Sequence, residues 1–483
     1  MRRLALLTAL ALALTAPQAF AASSNFTIRG AGFGHGIGLS QYGAYGYAAH
    51  GSGWKDIVLH YYTGTRLGNA AGRTIRVLMQ SGKSSAWFNG ATRAGSKKLN
   101  PDATYRVMRH GLNQVELRTA RGKKLGTFEA PLTIASSAGS LVLQGRSMNG
   151  LTNGRYRGSL EVRPGLFGGL AVVNALPLDD YVKGVIVGEM PTSWPQEALQ
   201  AQSVVARSYS LVTDAGGAVF DQYPDTRSQM YYGMSRETSG TNQAVAATAG
   251  QVVMYGSQVA STYYFSTSGG RTENIENSWP GTAAVPYLKS VDDPYDQASP
   301  YHRWRRAYSS KGLDAKFGGW VKGKLRSVKV TQRGVSPRIV QAKIVGSRGS
   351  TLVSGPQIRS RLALPDTWAF FVAIKSGQGG QTTKPTTTTE PSGGDITDGG
   401  GTTAAASSAS WLRRIVGPSQ LIVSGSVSPL PKKITLQHLR GRRWTTVGYG
   451  HTDSRGRYAL LVRATGAYRV LANGAVGPVV HVR

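Results

Sequence analysis

The 483-residue sequence predicts an α+β fold, and three patterns support this prediction. Residues 178–211 carry apolar side chains at helical spacing, which indicates two amphipathic helices in succession. Residues 72–175 consist of short apolar runs separated by Gly, Asn, Ser and Lys, a pattern typical of strands and turns. Residues 411–483 repeat that pattern at hairpin spacing. We therefore expect one mixed domain followed by an all-β domain.

The first 21 residues resemble a secretory signal peptide in composition. Two arginines precede an apolar run from Leu4 to about Ala16, and Ala19-Phe20-Ala21 supplies a small-x-small cleavage site. This run is shorter than the roughly 20 residues that span a bilayer, and no other stretch reaches that length. We therefore expect a secreted protein of the cell wall or extracellular space, without a transmembrane segment.

The composition limits the classes of partner and of site. The chain has 56 Lys and Arg against 24 Asp and Glu, a net charge of +32, so its surface attracts polyanions. The basic residues are scattered along the chain, which favours adhesion to anionic cell-wall polymers over the reading of nucleic acid. The sequence contains no cysteine, which excludes disulfides and thiolate metal sites. No cofactor and no metal site are predicted.

Changes in composition divide the chain into four parts. We predict a signal peptide at 1–21, a mixed domain at 22–375 with a β-rich subdomain at 72–175, a linker at 376–410 and a C-terminal domain at 411–483. The linker is rich in Gly, Thr, Ser and Pro and lacks large apolar residues, so it cannot form a core. The short strands of the last part predict an Ig-like β-sandwich.

The segment GAGFGHGIG at 30–38 has glycine at every second position. Read with strand periodicity, it predicts a strand with one face free of side chains, which another backbone or a flat ligand can approach closely. His35 lies on the opposite face. Ser40 is expected to cap a short helix that ends at Gly51.

Glu189 is the candidate catalytic residue. Leu178, Tyr181, Val182 and Val185 form the apolar stripe of the first predicted helix, and Glu189 takes the next position on it. A carboxyl group in an apolar setting has a raised pKa, which suits a proton donor. A glutamate at a helix end is also commonly a solvated or ion-paired group, so its position alone does not establish catalysis.

A second predicted helix follows directly. Pro191 ends the first helix, and Trp194 and Pro195 begin the second, with Pro195 suited to the first helical position. Its apolar stripe consists of Ala198, Ala201, Val205, Tyr209 and Val212. Gln202 lies within that face, whereas Arg207 points the other way. The two helices are therefore expected to meet at a corner that carries an acid, an amide and aromatic rings.

The segment VKGVIVGEMPTSWPQEALQAQSVVARSYS (182–210) resembles the core motif of the SpoIID/LytB family of bacterial cell-wall proteins. Four downstream motifs are similar in order and spacing: DTRSQMYYG (225–233), AVAATAGQVVMY (244–255), ASTYYFSTSGGRTENIENSW (260–279) and PYLKSVDDP (286–294). The resemblance covers most of residues 30–371. Residues 34–64 resemble the segment that usually closes the domain, so the resemblance implies a circular permutation. Residues 355–372 resemble the closing helix of the family core.

The resemblance also implies an activity. Family members include lytic transglycosylases that act on peptide-free glycan strands of peptidoglycan, with the acid at the glutamate that corresponds to Glu189. The residues agree, because no second acid of comparable setting is found near Glu189. Asp179 and Asp180 suit a helix start, and Asp292 and Asp293 belong to a loop. Motifs of metalloproteases, serine hydrolases and penicillin-binding proteins are absent from the sequence.

Seven further residues are candidates for substrate binding: His35, Gln41, Gln202, Arg207, Tyr209, Ser268 and Gly269. Ser268 and Gly269 belong to a Gly/Ser turn that either holds a sugar or an oxyanion or is an ordinary hairpin turn. A dense group of tyrosine and tryptophan rings between 231 and 295 is suited to stacking on sugars.

Two non-catalytic alternatives remain open at this point. Some members of the family are described as modulators of wall amidases, so the chain could be a binding module that acts with such an enzyme. It could also be an adhesin that holds anionic wall polymers with both domains. Turnover of peptide-free glycan by the protein, and its loss in a Glu189→Gln variant, would distinguish the enzyme from both.

Overall fold

The computed structural model describes residues 25–70, 72–165 and 168–374 and, in the C-terminal part, 421–426, 434–440, 443–450, 457–462, 466–472, 475–476 and 480–482. The predicted signal peptide and linker lie outside the described residues. Residues 25–31 and 303–374 form one compact unit, called here the small unit. Residues 32–302 belong to another, called here the main unit. The prediction had placed 22–375 in a single domain.

The described residues contain eight α-helices: α1 (Gln41–Ala49), α2 (Trp54–Tyr61), α3 (Leu178–Glu189), α4 (Gln196–Val212), α5 (Ser239–Ala247), α6 (Ile275–Ser278), α7 (Ser310–Phe317) and α8 (Gly355–Leu362). Short 3-10 turns lie at Gly233–Arg236, Asp296–Ala298 and Gly318–Trp320. None of the described helices is both long and apolar enough to cross a membrane.

Helix α4 is packed on several sides. It contacts α1, α2, α3 and α5, and its buried positions include polar residues as well as alanines and valines. The two predicted helices are present, with α3 ending before Pro191. Pro195 precedes α4 as its N-cap and is not the first helical residue, because its extended ψ of 144° lies outside the helix.

The first strands are β1 (Asn25–Gly30), β2 (Leu39–Ser40) and β3 (Arg66–Asn69). The predicted strand at 30–38 is wrong: β1 ends at Gly30, and the glycines that follow at 32, 34, 36 and 38 have positive φ. Glycines with positive φ bend the backbone, so this segment is not an extended strand. The predicted close approach of another backbone is nevertheless observed, because a Cβ at Gly38 would lie 2.1 Å from the Tyr263 carbonyl oxygen.

The β-rich prediction for 72–175 is confirmed by a ten-stranded sheet. Its strands are β4 (Thr74–Lys83), β5 (Ser85–Asn89), β6 (Arg93–Ala94), β7 (Lys97–Lys98), β8 (Tyr105–His110), β9 (Gln114–Thr119), β10 (Lys124–Glu129), β11 (Leu132–Arg146), β12 (Thr152–Pro164) and β13 (Leu170–Pro177). The main path runs β10-β9-β8-β5-β11-β12-β13-β4, with β6 paired to β11 and β7 paired to β6. The pairings are antiparallel.

Three short strands complete the main unit: β14 (Gln251–Tyr255), β15 (Gln258–Val259) and β16 (Tyr264–Phe265). Strand β14 lies between β15 and β3. Strand β16 pairs in parallel with β2, so that Tyr264 lies opposite Leu39. This pairing places the N-terminal glycine-rich segment beside residues more than 200 positions later. Ser40 caps α1 as predicted, accepting a hydrogen bond from the Gly43 N–H (3.2 Å).

The small unit contains β17 (Trp304–Ser309), β18 (Leu325–Arg333), β19 (Ile339–Gly346), β20 (Gly349–Ser354) and β21 (Ala369–Ile374). Strand β1 lies between β17 and β21, and β19 lies between β18 and β20. A buried bidentate ion pair joins Arg338 to Asp366, at 2.9 and 3.0 Å. Helix α8 and β21 occupy the stretch whose sequence resembles the closing helix of the family core.

The C-terminal part contains β22 (Leu421–Ser426), β23 (Ile434–Arg440), β24 (Arg443–Gly450), β25 (Arg457–Val462), β26 (Gly466–Ala472), β27 (Ala475–Val476) and β28 (Val480–Val482). They form two antiparallel sheets, one of β22 with β25 and one in the order β24-β23-β26-β27 with β28 beside β26. Helices and sheets together confirm the α+β class.

Candidate active site

Glu189 is the last residue of α3, and the chain from Met230 to Gly233 lies against this end of the helix. The Tyr232 N–H donates to the Gly184 carbonyl (2.9 Å). Two glycines permit this contact: a Cβ at Gly184 would lie 2.5 Å from the Tyr231 ring, and one at Gly188 would lie 2.7 Å from the Met230 carbonyl oxygen. Spaced four apart, they share one face of the helix.

Three donors surround the half-buried Glu189 carboxyl group. The Met230 N–H donates to Oε1 at 2.6 Å, and the Tyr264 hydroxyl and the Gln41 amide lie within hydrogen-bonding reach of the group. Gln41 also donates from Nε2 to the Glu189 carbonyl oxygen (3.1 Å), which satisfies an acceptor that the helix end leaves unpaired. The carboxyl group is thus held in one position.

The Tyr264 hydroxyl is oriented by a buried glutamine. Gln229 donates from Nε2 to the Tyr264 oxygen (3.1 Å), and its Oε1 accepts from the Tyr181 hydroxyl (3.0 Å). Because the Tyr264 oxygen accepts this bond, its own hydrogen is left for Glu189.

Burial raises the pKa of Glu189 from its ordinary value of 4.5 to about 7. The hydrogen bonds from Met230, Tyr264 and Gln41 favour the charged form and offset part of this rise. No other carboxylate and no cation is among the causes, and no arginine or lysine of the described residues forms an ion pair with Glu189. The group is therefore present in both protonation states near neutral pH.

This raised pKa predicts that Glu189→Gln stabilises the protein in alkaline solution. The folded state holds the Glu189 proton more tightly than the unfolded state, so the parent loses stability as pH rises from about 4.5 through about 7. The loss reaches about 3 kcal/mol above pH 8. Thermal unfolding at pH 5 and pH 8.5 should show similar Tm values at pH 5 and a higher Tm for the variant at pH 8.5. A lower Tm at both pH values would mean that the carboxylate stabilises the fold.

A series of aromatic rings, called here the aromatic wall, extends from Tyr264 through Tyr209 and Tyr263 to His35 and Trp279. Ring centroids are 6.3 Å apart for Tyr264 and Tyr209, 5.9 Å for Tyr209 and Tyr263, and 6.3 Å for Tyr263 and His35. The Trp279 ring lies 5.3 Å from His35. Among the predicted residues, Gln41, Tyr209 and His35 are thus connected to Glu189 by direct contact or through neighbouring rings.

The orientation of His35 is set by its own loop. The Ile37 N–H donates to His35 Nδ1 (3.1 Å), so a neutral ring carries its proton on Nε2. A second group of rings lies on α1 and the turn between α3 and α4, where Tyr42 and Tyr45 pack on Trp194 with centroids 4.9 and 5.0 Å away.

Arg207 does not contact Glu189 or the aromatic wall. Its fully buried guanidinium bonds to Asp179 Oδ1 (2.7 Å) and to the carbonyl oxygens of Gln251 (3.0 Å) and Val245 (3.4 Å). This position joins α3, α5 and β14 and does not favour the predicted contact with substrate. Gln202 is fully buried as well, and neither of its amide atoms has a hydrogen-bond partner among the described residues.

Ser268 and Gly269 are bound to a buried aspartate. Both the Ser268 hydroxyl (3.0 Å) and the Gly269 N–H (2.5 Å) donate to Asp296 Oδ2, and Asp296 Oδ1 lies 2.6 Å from His302 Nδ1. Nearby, Tyr61 donates to Asp293 Oδ1 (2.9 Å), and burial raises the pKa of Asp293 to about 6. These donors of the Gly/Ser turn are engaged within the fold, which favours a structural role over an oxyanion site. The turn does not close a hairpin, because β16 before it pairs in parallel with β2.

Within the described ranges, no cluster of three or more His, Asp or Glu side chains has an arrangement that could hold a metal ion. Sequence reasoning did not assign Met230 or Tyr264 to the Glu189 site. The available signal was the glycine pair of KGVIVGE, four residues apart, which marks a helix face that another backbone approaches.

Two family models match this chain, and the first of them covers Glu189. Residues 167–255 match the SpoIID family model, described as "Stage II sporulation protein", and residues 283–388 match "Domain of unknown function (DUF8618)". The first range contains α3, α4, α5 and β14. The second overlaps the stretch that we had assigned to the end of the mixed domain.

Three curated relatives give the extent of the similarity. Stage II sporulation protein D of Bacillus subtilis is 34% identical over 212 residues, and that of Bacillus amyloliquefaciens is 31% identical over 209 residues; each alignment covers 40% of this chain and 59% of the relative. The amidase enhancer of Bacillus subtilis is 41% identical over 135 residues, which cover 28% of this chain and 18% of that protein. The chain thus spans about three fifths of the two sporulation proteins.

Proposed function

Because this chain contains a SpoIID-like domain, we propose that it is an exported peptidoglycan-remodelling protein and a lytic transglycosylase that uses Glu189 as its single acid and base. The observation that carries this proposal is the state of Glu189: a fixed, half-buried carboxyl group with a pKa of about 7 beside a wall of aromatic rings. The N-terminal sequence supports export, and the strongly basic composition supports retention in an anionic wall.

The chemistry needs one acid because the nucleophile belongs to the substrate. Protonated Glu189 gives its proton to the glycosidic oxygen that leaves C1 of N-acetylmuramic acid. The 6-hydroxyl of the same sugar attacks C1, and the Glu189 carboxylate takes the proton of this hydroxyl. The products are a shortened strand and a 1,6-anhydro end, and no water is consumed. A pKa near 7 allows both proton transfers at neutral pH.

A glycoside hydrolase would need a second carboxylate. Retaining enzymes place two carboxyl groups about 5–5.5 Å apart and inverting enzymes about 6.5–9.5 Å apart. Asp179 pairs with Arg207, Asp180 with Lys183 (2.9 Å), and Asp293 accepts from Tyr61 (2.9 Å). None of these acids contributes to the pKa shift of Glu189. A single-acid mechanism therefore fits the described residues better.

The aromatic wall offers surfaces on which sugar rings stack. Tyrosine and tryptophan rings present an apolar face and a polar edge, which matches the two sides of a pyranose. Gln41 and His35 add polar atoms near or along this wall. We propose that the glycan strand lies along these rings, with the scissile bond at Glu189.

A non-catalytic role is the second candidate, and the similarity to an amidase enhancer favours it. In this alternative the same domain binds glycan and acts on a wall amidase, and Glu189 has no chemical role. In either case we propose that the C-terminal strands form an Ig-like sandwich that binds or spaces the protein at anionic wall polymers.

The test is the identity of the products. The full mature chain is incubated with peptide-free glycan strands, and released fragments are separated and weighed by mass spectrometry. Fragments with 1,6-anhydro ends support the transglycosylase, and fragments with reducing ends would show a hydrolase. Absence of both, together with an increased rate of a wall amidase, would establish the alternative.

The proposal also predicts the pH dependence of activity. In the free enzyme Glu189 must carry its proton to begin the reaction, so kcat/KM should be level below about pH 6 and fall about tenfold per pH unit above about pH 7. Initial rates at low substrate concentration measure this profile. A rate that increases between pH 6 and pH 8 would contradict protonated Glu189 as the starting form.

A further inference from the structure

A cavity of about 320 Å³ lies on the ten-stranded sheet of the main unit and has no role in the proposed reaction. Its lining includes Gln80, Lys83, Trp87, Gln144, Arg146 and Asn153, from β4, β5, β11 and β12. Strand β4 begins beside α3, where the Leu178 N–H donates to the Arg73 carbonyl (3.0 Å). Lys83 is the last residue of β4. None of the six belongs to the Glu189 site.

Trp87 provides a rigid aromatic surface in this cavity. Its Nε1–H donates to the Ser85 hydroxyl (2.9 Å), and the Arg106 guanidinium lies 5.1 Å from the ring centroid. Both contacts restrict the indole before any ligand binds, so little conformational entropy is lost on stacking.

The backbone beside Trp87 is irregular. The pairing of β11 with β12 shifts register between Leu143 and Arg146, and Asn153 adopts φ of 56°. Asn153 accepts from the Gly145 N–H through its side chain (2.9 Å). Left-handed non-glycine residues and β-bulges are found preferentially at ligand sites.

The cavity is positively charged. Neither Lys83 nor Arg146 forms an ion pair within the described part of the chain, and no acidic residue is among the lining. The subdomain around it carries 16 Lys and Arg and four Asp and Glu between residues 72 and 177, a net charge of +12. Two of those acids, Glu116 and Glu161, are already paired with basic side chains. Lys83 and Arg146 would therefore attract an anionic ligand, and no acidic side chain in the lining competes with that ligand for them.

We propose that the Trp87 cavity binds a carboxylate-bearing amino sugar of the glycan strand, as a site separate from Glu189. The indole would stack on the apolar face of the sugar, and the amides of Gln80, Gln144 and Asn153 suit its N-acetyl and hydroxyl groups. Lys83 and Arg146 would bind the carboxylate. The choice of a wall glycan rests on the proposed function. A cavity of this volume is at the lower end of the range for small-molecule sites, which fits one or two sugar rings.

The test uses the full mature chain with Glu189→Gln, so that no substrate is consumed, and with 5-fluorotryptophan in place of tryptophan. The ¹⁹F resonance of Trp87 is assigned from its loss in Trp87→Phe. It is then titrated with the disaccharide of N-acetylglucosamine and N-acetylmuramic acid, with chitobiose, which lacks the carboxylate, and with a polyol phosphate polymer. Arg146→Gln and Lys83→Gln are compared with Arg121→Gln and Lys97→Gln, which remove the same charge at exposed positions of this subdomain.

We expect the muramyl disaccharide to shift the Trp87 resonance and to bind at least tenfold more weakly to Arg146→Gln, with changes of less than twofold in both controls. Chitobiose should bind at least tenfold more weakly than the disaccharide. An unmoved Trp87 resonance, equal affinities for the two disaccharides, or tighter binding of the polyol phosphate would overturn the inference. The ¹⁹F titration does not depend on cleavage. If the muramyl disaccharide binds at Trp87 but the parent protein cleaves no glycan, only the catalytic proposal is refuted.

Discussion

Glu189→Gln should reduce the release of anhydro-muramyl products from peptide-free glycan by about a thousandfold or more, because general acid and base catalysis together supply factors of that size. The substitution removes the carboxyl proton that is transferred in the reaction and preserves the shape of the side chain. The amide oxygen of the glutamine can still accept from the Met230 N–H, which now bonds to Oε1 at 2.6 Å. Steady-state rates of soluble product release at saturating substrate measure the effect on kcat.

Glu197→Gln is the matched control for this variant. Glu197 lies in the first turn of α4, and its carboxylate also accepts a backbone N–H, that of Trp54, at 2.6 Å. Glu197 has no part in the proposed proton transfers, so the activity of this variant should stay within about twofold of the parent. Binding of glycan should be similar in both variants. Residual turnover above a tenth of the parent rate in Glu189→Gln would exclude Glu189 as the acid.

The elements that sequence reasoning predicted well are those set by local periodicity. The corner of α3 and α4 follows from an apolar stripe interrupted by Pro191, and the sheet at 72–175 follows from short runs bounded by turn residues. Such patterns are properties of neighbouring residues, so one sequence contains them. The position of Glu189 at the helix end was predicted for the same reason.

The glycine-rich segment shows where periodicity fails. Alternation of glycine is compatible with a strand, but it also permits a left-handed residue at every second position, and the latter is found at 32, 34, 36 and 38. Which of these two conformations forms depends on the residues that pack against the segment. A Cβ at Gly34 would lie 2.6 Å from Phe265, which is 231 positions away in the sequence. Contacts of that range are not encoded in a local pattern.

The groups around Glu189 were missed for a related reason. Met230 contributes a backbone N–H, which any residue type would supply, and Tyr264 reaches the carboxyl group through the pairing of β16 with β2. Side-chain chemistry therefore pointed to Glu189 as a candidate but not to the donors that hold its carboxyl group. Arg207 shows the converse limit: its charge and its place near the motif suggested a contact with substrate, whereas the structure shows its guanidinium donating to Asp179 and to the Gln251 carbonyl.

Arg207→Ala should destabilise the main unit by about 3–5 kcal/mol, because it leaves the partners of a buried cation unpaired. The guanidinium satisfies the carbonyls of Gln251 and Val245 and the carboxylate of Asp179, so three elements lose a common contact. For a unit of this size the corresponding fall in Tm is roughly 10 °C. Thermal unfolding followed by far-UV circular dichroism measures it.

Arg227→Ala distinguishes loss of a buried network from loss of a charge. Arg227 pairs with Asp225 (2.6 Å) and its side chain is 40% exposed, whereas that of Arg207 is fully buried. An exposed pair contributes about 0–1 kcal/mol, so this variant should unfold within about 2 °C of the parent. At temperatures where Arg207→Ala remains folded, its KM for glycan should equal that of the parent. A tenfold increase in KM without a fall in Tm would instead mean that Arg207 contacts the substrate, and α4 would then present its polar face to the glycan.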